Sequence, residues 1–263
     1  MVGRKARVTI AQLVPYLETI WPFIAVGFAA QIVDGALGMA FGVINTSLLI
    51  SVLGVHPAAA SASIHPVETF TTAASGVSHV LHRNIDWRLF RRLVVPGMLG
   101  GGLGAFVLSN VDGAVARPFV MAYLCAIGLY LLYRAWRGRV EPRQPRIIEP
   151  LGLAGGFLDA AGGGGWGPVV TSNLLVQGAT PRTTIGTVNT AEFFVTATIS
   201  ATFLATIGFA AFTVATFGIL VGGLAAAPLG AVLAKRIPAR ALMALVGSLL
   251  TITSAYTIGK ALG

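Results

Sequence analysis

Long apolar runs fill the chain, and short polar, prolyl or glycine-rich interruptions divide them into elements. Residues 1–20 pair a basic tip (Arg4, Lys5, Arg7) with a moderately apolar stretch interrupted by Pro15 and Glu18; it reads equally as an interfacial helix or as the first part of a span. Residues 21–33 are apolar and stop at Asp34. A glycine-containing break follows, then an apolar run over 43–55 and a turn at His56-Pro57, because proline biases the residue before it away from helix. Residues 58–81 form a long helical candidate carrying Ser61, Ser63, His65, Glu68 and several threonines, and spans over 93–108 and 118–136 complete the first half. Beyond the Arg- and Pro-rich stretch 134–149 comes a short apolar piece to Asp159, a glycine run, an apolar stretch to Gln177 and a turn at Thr180-Pro181. Spans over 183–207, 211–234 and 241–258 close the chain. Runs of this length suit the roughly 20 residues that cross hydrocarbon as helix.

The second half repeats the first. Asp34 falls on Asp159, Gly42 on Gly167 and Thr46-Ser47 on Thr171-Ser172 at an offset of 125 (159 − 34). After one gapped residue the offset is 124 (192 − 68), and Pro57 falls on Pro181 and Glu68 on Glu192. VPGMLGGGLGA at 95–105 is matched by VGGLAAAPLGA at 221–231. Glycine has no side chain to pack and loses most freedom on ordering, so the four successive glycines 162–165 predict an interrupted helix. The domain reading is a basic interfacial segment 1–20, a first transmembrane repeat 21–136, a cytoplasmic linker 137–149 and a second repeat 150–263.

Composition fixes the class. Only 10% of residues are charged and the mean hydropathy is +0.81, whereas about a quarter of residues are charged in soluble domains. The net charge of +9 would suit a nucleic-acid partner, but the basic residues cluster in short loops (83–92, 134–146, 235–240) with no aromatic-interleaved stripe. That placement follows the positive-inside pattern and excludes nucleic-acid binding. The single Cys125 rules out an intramolecular disulfide or a cysteine metal site, and neither a metal nor a cofactor is expected. The N-terminus lacks a small-residue cleavage site and reads as retained. The basic loop 82–92 corresponds to the uncharged turn 208–211, and the loop 110–114, whose only charge is Asp112, corresponds to the basic loop 235–240. Equivalent loops thus fall on opposite faces. The predicted fold is an all-α integral membrane protein of two inverted-topology repeats with glycine-rich broken or re-entrant helices and about seven to nine spans.

Non-helical backbone at membrane depth is tolerated only beside protein or a water-filled cavity. Half-helix N-termini at the two breaks would offer backbone N–H groups and partial positive charge to an anion. Candidate substrate-binding residues are Asn45, Thr46, Ser47, Ser63, His65, Gly163, Gly164, Gly165, Trp166, Thr171, Ser172, Asn173, Thr187, Asn189 and Thr190. Each hydroxyl has a second reading, a bond to its own helix backbone. An ionised carboxylate within a span costs about 2.5–3.5 kcal/mol on insertion scales and is usually paired or functional. Asp34, Asp159, Glu68 and Glu192 are therefore candidates for carrying coupling protons, with capping of the following helix as the other role for the two aspartates. His65 shares a helix face with Glu68. Trp166 reads as a cavity wall or as an interfacial residue, and Arg182 as an interfacial anchor.

These residues resemble the TauE/SafE family of sulfite and organosulfonate exporters. The resemblance rests on the duplicated glycine-rich break, on the G-x-x-P turns (Gly54 to Pro57, Gly178 to Pro181) and on GGGGWGPVVTSNLL with IGTVNTAEFF, and it covers about residues 20–260. The first-half copy carries Ala36, Met39 and Ala40 where glycines are common. The resemblance implies a multi-pass permease of the bacterial inner membrane that moves small sulfur-containing anions such as sulfite, thiosulfate, sulfoacetate or other organosulfonates, with protons as coupling ion and membrane lipid as surroundings. A homo-oligomer is compatible with it. An anion channel would use the same helix ends without alternating access. An intramembrane enzyme would need a nucleophile–base pair or a metal cluster, and the chain has neither G-x-S-x-G nor H-E-x-x-H.

Overall fold

The computed structural model describes residues 10–37, 39–136, 145–209, 214–233 and 239–262. The basic tip, residues 137–144 of the linker, and Lys235 and Arg236 lie outside the described residues. Among the described residues all regular structure is helical. The order is α1 (Ile10–Leu37), α2 (Phe41–Ser51), α3 (Pro57–Leu81), α4 (Trp87–Asn110), α5 (Gly113–Trp136) and α6 (Glu149–Gly162). A π-helical turn (Trp166–Thr171) then runs into α7 (Ser172–Val176), followed by α8 (Pro181–Thr206), α9 (Val214–Leu233) and α10 (Ala239–Leu262).

Two boundaries differ from the pattern of apolar runs. α1 is one continuous helix from Ile10 through Asp34, so the second part of segment 1–20 belongs to it. α4 begins at Trp87, so Arg88, Arg91 and Arg92 occupy its first turns rather than a loop. Asp86 caps it, accepting from the Arg88 and Leu89 N–H groups at 2.9 and 3.0 Å. Hydropathy places such a helix start too late, because the first turns carry three arginines.

By length and hydropathy, α4, α5 and residues 183–206 of α8 are long and apolar enough to cross a membrane. Shorter apolar stretches occupy Thr19–Asp34, Phe41–Ser51, Val214–Ala226 and Met243–Gly259. Phe70, Leu99, Phe119, Phe217 and Ile252 each leave more than half of their surface uncovered. An exposed apolar surface of this extent suits lipid rather than water.

The most extensive helix contacts join the two halves. α1 packs along α9, α4 along α6 and α8, α3 along α8, and α5 along α10. Matching α1–α5 in order with α6–α10 converts the α1–α9 pair into the α6–α4 pair and leaves α3–α8 and α5–α10 unchanged. Glycine permits the closest of these approaches. A Cβ on Gly100 or Gly104 would strike the Leu153 or Phe157 carbonyl of α6, and one on Gly222 of α9 would strike the Ile24 carbonyl of α1. Without a hydrophobic drive between helices in lipid, such backbone-on-backbone packing is what holds them together.

Candidate functional site

α6 ends at Gly162, and the chain turns through Gly163 (φ 66°) and Gly164 (φ 131°) before re-entering helix at Trp166. Both φ values lie where a Cβ is strained, which accounts for glycine here. Asp159 closes the turn: its Oδ1 accepts the Trp166 N–H at 2.9 Å. In the first half Asp34 Oδ1 accepts the Ala40 and Phe41 N–H groups at 2.7 and 3.2 Å. Phe41 and Trp166 each lie seven residues beyond their acid (41 − 34; 166 − 159). The two aspartates thus satisfy orphan donors at the start of the helical segment that follows.

The two breaks meet. The first turn of α2 lies against the Gly163–Gly164 turn so closely that a Cβ on Gly42 would collide with the Gly164 Cα at 2.7 Å. The Thr46 hydroxyl donates to the Gly163 carbonyl, tying α2 to the break in the other half. Tyr123 of α5 reaches the same turn, its hydroxyl 3.4 Å from the Gly164 carbonyl.

Three titratable side chains converge beside this junction. His65 Nε2 lies 3.4 Å from Asp159 Oδ2 and 3.9 Å from Glu68 Oε2. His65, Asp159 and Glu68 are 0%, 1% and 6% exposed, so the cluster is closed to bulk water. His65 Nδ1 is 2.8 Å from the Ser61 carbonyl, and the Ser61 hydroxyl donates to the Ala160 carbonyl at 2.7 Å. Glu68 Oε1 lies against the head of α2, 2.7 Å from where a Cβ on Gly42 would stand. Asp34 and Glu192 act electrostatically on Glu68, and Glu192 is in turn acted on by Asp159 and Asp34. All four acids of the apolar stretches therefore share one region, a like-charge arrangement that depends on protonation or on donors to persist.

The remaining candidates divide by partner. Ser63, Thr187 and Thr190 donate to carbonyls one turn back in their own helices (Ala59, Thr183, Gly186). Asn45 and Asn173 do the same with Phe41 and Val169. Thr187 also accepts the Asp86 N–H at 2.9 Å, which places it at the α3–α4 connection and away from the junction. Asn189 reaches Ser75 of α3 at 3.2 Å, Ser47 pairs with Thr253 of α10 at 2.6 Å, and Ser172 lies 3.4 Å from the Met39 sulfur. Asn45 Oδ1 and Thr171 Oγ1 are fully buried and have no partner among the described residues. Trp166 is fully buried, packs against Gly97 and Gly155, and donates Nε1–H to the Val188 carbonyl at 3.1 Å. It fills the core where α4, α6 and α8 cross. No cluster of three or more His, Cys, Asp or Glu with metal-binding geometry occurs among the described residues.

Sequence reasoning passed over Gly42 as the close-packing point, Ser61 as the orienter of His65, and Tyr123. Ser61 carried a signal, its i−4 spacing from His65 on one helix face. Tyr123 carried none, lying in an apolar span.

The model of the family described as "Sulfite exporter TauE/SafE" matches residues 23–257. The chain is also 41% identical over 245 residues to the "Probable membrane transporter protein YtnM" of Bacillus subtilis (strain 168), covering 90% of this chain and 81% of that relative. No solved structure matches.

Proposed function

The chain belongs to the sulfite exporter TauE/SafE family, and from that premise we propose that it is a secondary transporter of sulfite or another small sulfur-containing anion across the bacterial inner membrane, coupled to protons. The anion binds where the head of α2 meets the Gly163–Gly165 turn, between two repeats of opposite orientation. One observation carries this reading: two glycine breaks, each tied by an aspartate to the residue seven positions on, meet at a buried junction next to a closed cluster of three titratable groups.

The swapped pairings α1–α9 and α6–α4 support the repeat reading, because both follow from one rule applied to each half. Burial of the cluster supports alternating access over a channel, since an open conduction path would leave such groups wet. On the basic face a polar cavity of about 360 Å³, lined by Asp86, Arg88, Arg92, Thr180 and Thr183 among others, offers an entry for anions. The reading makes no use of a cofactor or a metal. Saturable uptake of labelled sulfite into proteoliposomes tests it, and uptake no faster than in protein-free vesicles rejects it.

A further inference from the structure

Glu68 occupies the place where a small anion would be held. Its carboxylate packs against Gly42 in the first turn of α2, where the backbone N–H groups of a helix start are unpaired by the helix itself. Its Oε1 lies 2.7 Å from where a Cβ on Gly42 would begin, and the Gly164 Cα crowds the same position at 2.7 Å. Its Oε2 has no hydrogen-bond partner among the described residues although the side chain is 7% exposed.

Hydrogen inventory locates a proton beside it. A carbonyl only accepts, so His65 Nδ1, 2.8 Å from the Ser61 carbonyl, carries the hydrogen in that bond. In the neutral imidazole Nε2 then presents a lone pair, facing Asp159 Oδ2 at 3.4 Å and Glu68 Oε2 at 3.9 Å. None of the three atoms has a hydrogen-bond partner among the described residues. Three lone-pair-bearing atoms turned toward one another out of reach of water are costly unless a proton resides among them. The groups that act on Glu68 come from α1 (Asp34), α6 (Asp159), α8 (Glu192) and its own helix (His65), and Tyr123 of α5 stands by Asp159.

We propose that the Glu68 carboxylate is a tethered stand-in for the transported anion at the head of α2, and that a proton shared by His65, Asp159 and Glu68 releases it. This rests on the anion-transport reading above and adds its coupling device. When the proton passes to Glu68, the carboxylate loses its charge and its hold on the head of α2, and the incoming anion takes its place. One proton enters from solution to restore the cluster, no other bond changes, and one negative charge replaces another. Proton and anion therefore bind together, and in the absence of anion the resident carboxylate keeps the site closed.

The test uses the full chain in detergent with sulfite and thiosulfate as probes. Proton uptake on binding in weakly buffered solution is compared between wild type and Glu68→Gln, so that ionisation of the probe itself cancels. The expected result is that uptake falls by about one proton per bound anion in Glu68→Gln. On the alkaline side the wild-type Kd rises about tenfold per pH unit while that of the variant stays flat. Unchanged uptake in Glu68→Gln overturns the proposal. Should that variant fail to fold, difference infrared spectra of wild type decide: a protonated-carboxyl band appears on adding anion, and its absence overturns the proposal. Binding without proton linkage defeats the coupling device alone, whereas a wild-type protein that binds neither probe defeats the anion-transport reading and the proposal with it.

Discussion

His65 Nε2 lies 3.4 Å from Asp159 Oδ2, so α3 of the first half holds an imidazole against the acid that closes the glycine break of the second. Asp159 does two things with two oxygens: Oδ1 fixes the Trp166 N–H and Oδ2 faces the histidine. Substitutions separate the two. Asp159→Asn keeps an oxygen acceptor for Trp166 and should fold with near-wild-type thermal stability in detergent, while losing the pH response of transport. Asp159→Ala leaves a buried N–H without a partner and should lower stability by about 1–3 kcal/mol.

Asp34 makes the equivalent bonds but is only half-buried. Water can replace part of what Asp34→Ala removes, so its loss of stability is expected to be smaller than that of Asp159→Ala although two N–H groups lose their acceptor. Thermal unfolding of the two alanine variants under the same conditions ranks them, and the reverse order contradicts the capping account.

Gly163→Ala forces a Cβ into the left-handed region and into Thr46. The backbone strain alone costs about 1–2 kcal/mol. In a Thr46→Ala background the two closest contacts go, the Cβ of residue 46 stays at 3.1 Å and the strain remains, so the additional cost of Gly163→Ala should shrink without vanishing. A double-mutant cycle in thermal stability measures the difference.

Arg92 lines the polar cavity on the basic face and pairs through Nε and Nη2 with Glu149 at 2.5 and 2.9 Å. The pair is exposed, so it contributes little to stability. Its charge matters for capture: Arg92→Gln should raise the KM for sulfite a few-fold at low ionic strength, with the difference fading once salt shortens the Debye length to about 8 Å.

Much of the architecture is written in residue types. Four glycines in a row and acids ending apolar runs mark the place where α6 stops and a new helical segment starts. Periodic apolar residues mark the spans because nothing else survives in hydrocarbon. The pairing of helices is a different matter. α1 meets α9 and α4 meets α6 through glycines that look alike in the sequence, and which glycine row accepts which helix depends on shape between segments far apart in the chain. The same limit hid the contact of His65 with Asp159, whose residue numbers differ by 94 (159 − 65). The π-helical turn at Trp166–Thr171 left no composition signature, since it differs from α-helix only in which carbonyl each N–H meets. Trp166 itself shows why an aromatic beside glycines is hard to place: its ring fills the hollow that Gly97 and Gly155 leave, a packing relation rather than a local one.

The account depends most on sulfur-anion movement being tied to protons through the buried acids. Labelled sulfite flux into proteoliposomes, with and without a pH gradient across the membrane, measures that tie directly. The expected outcome is saturable flux accelerated by the gradient in wild type, and in Glu192→Gln a pH response that weakens more than sulfite affinity does. Flux that is unsaturable and indifferent to the gradient, or a Glu192→Gln variant with the full wild-type pH response, contradicts it.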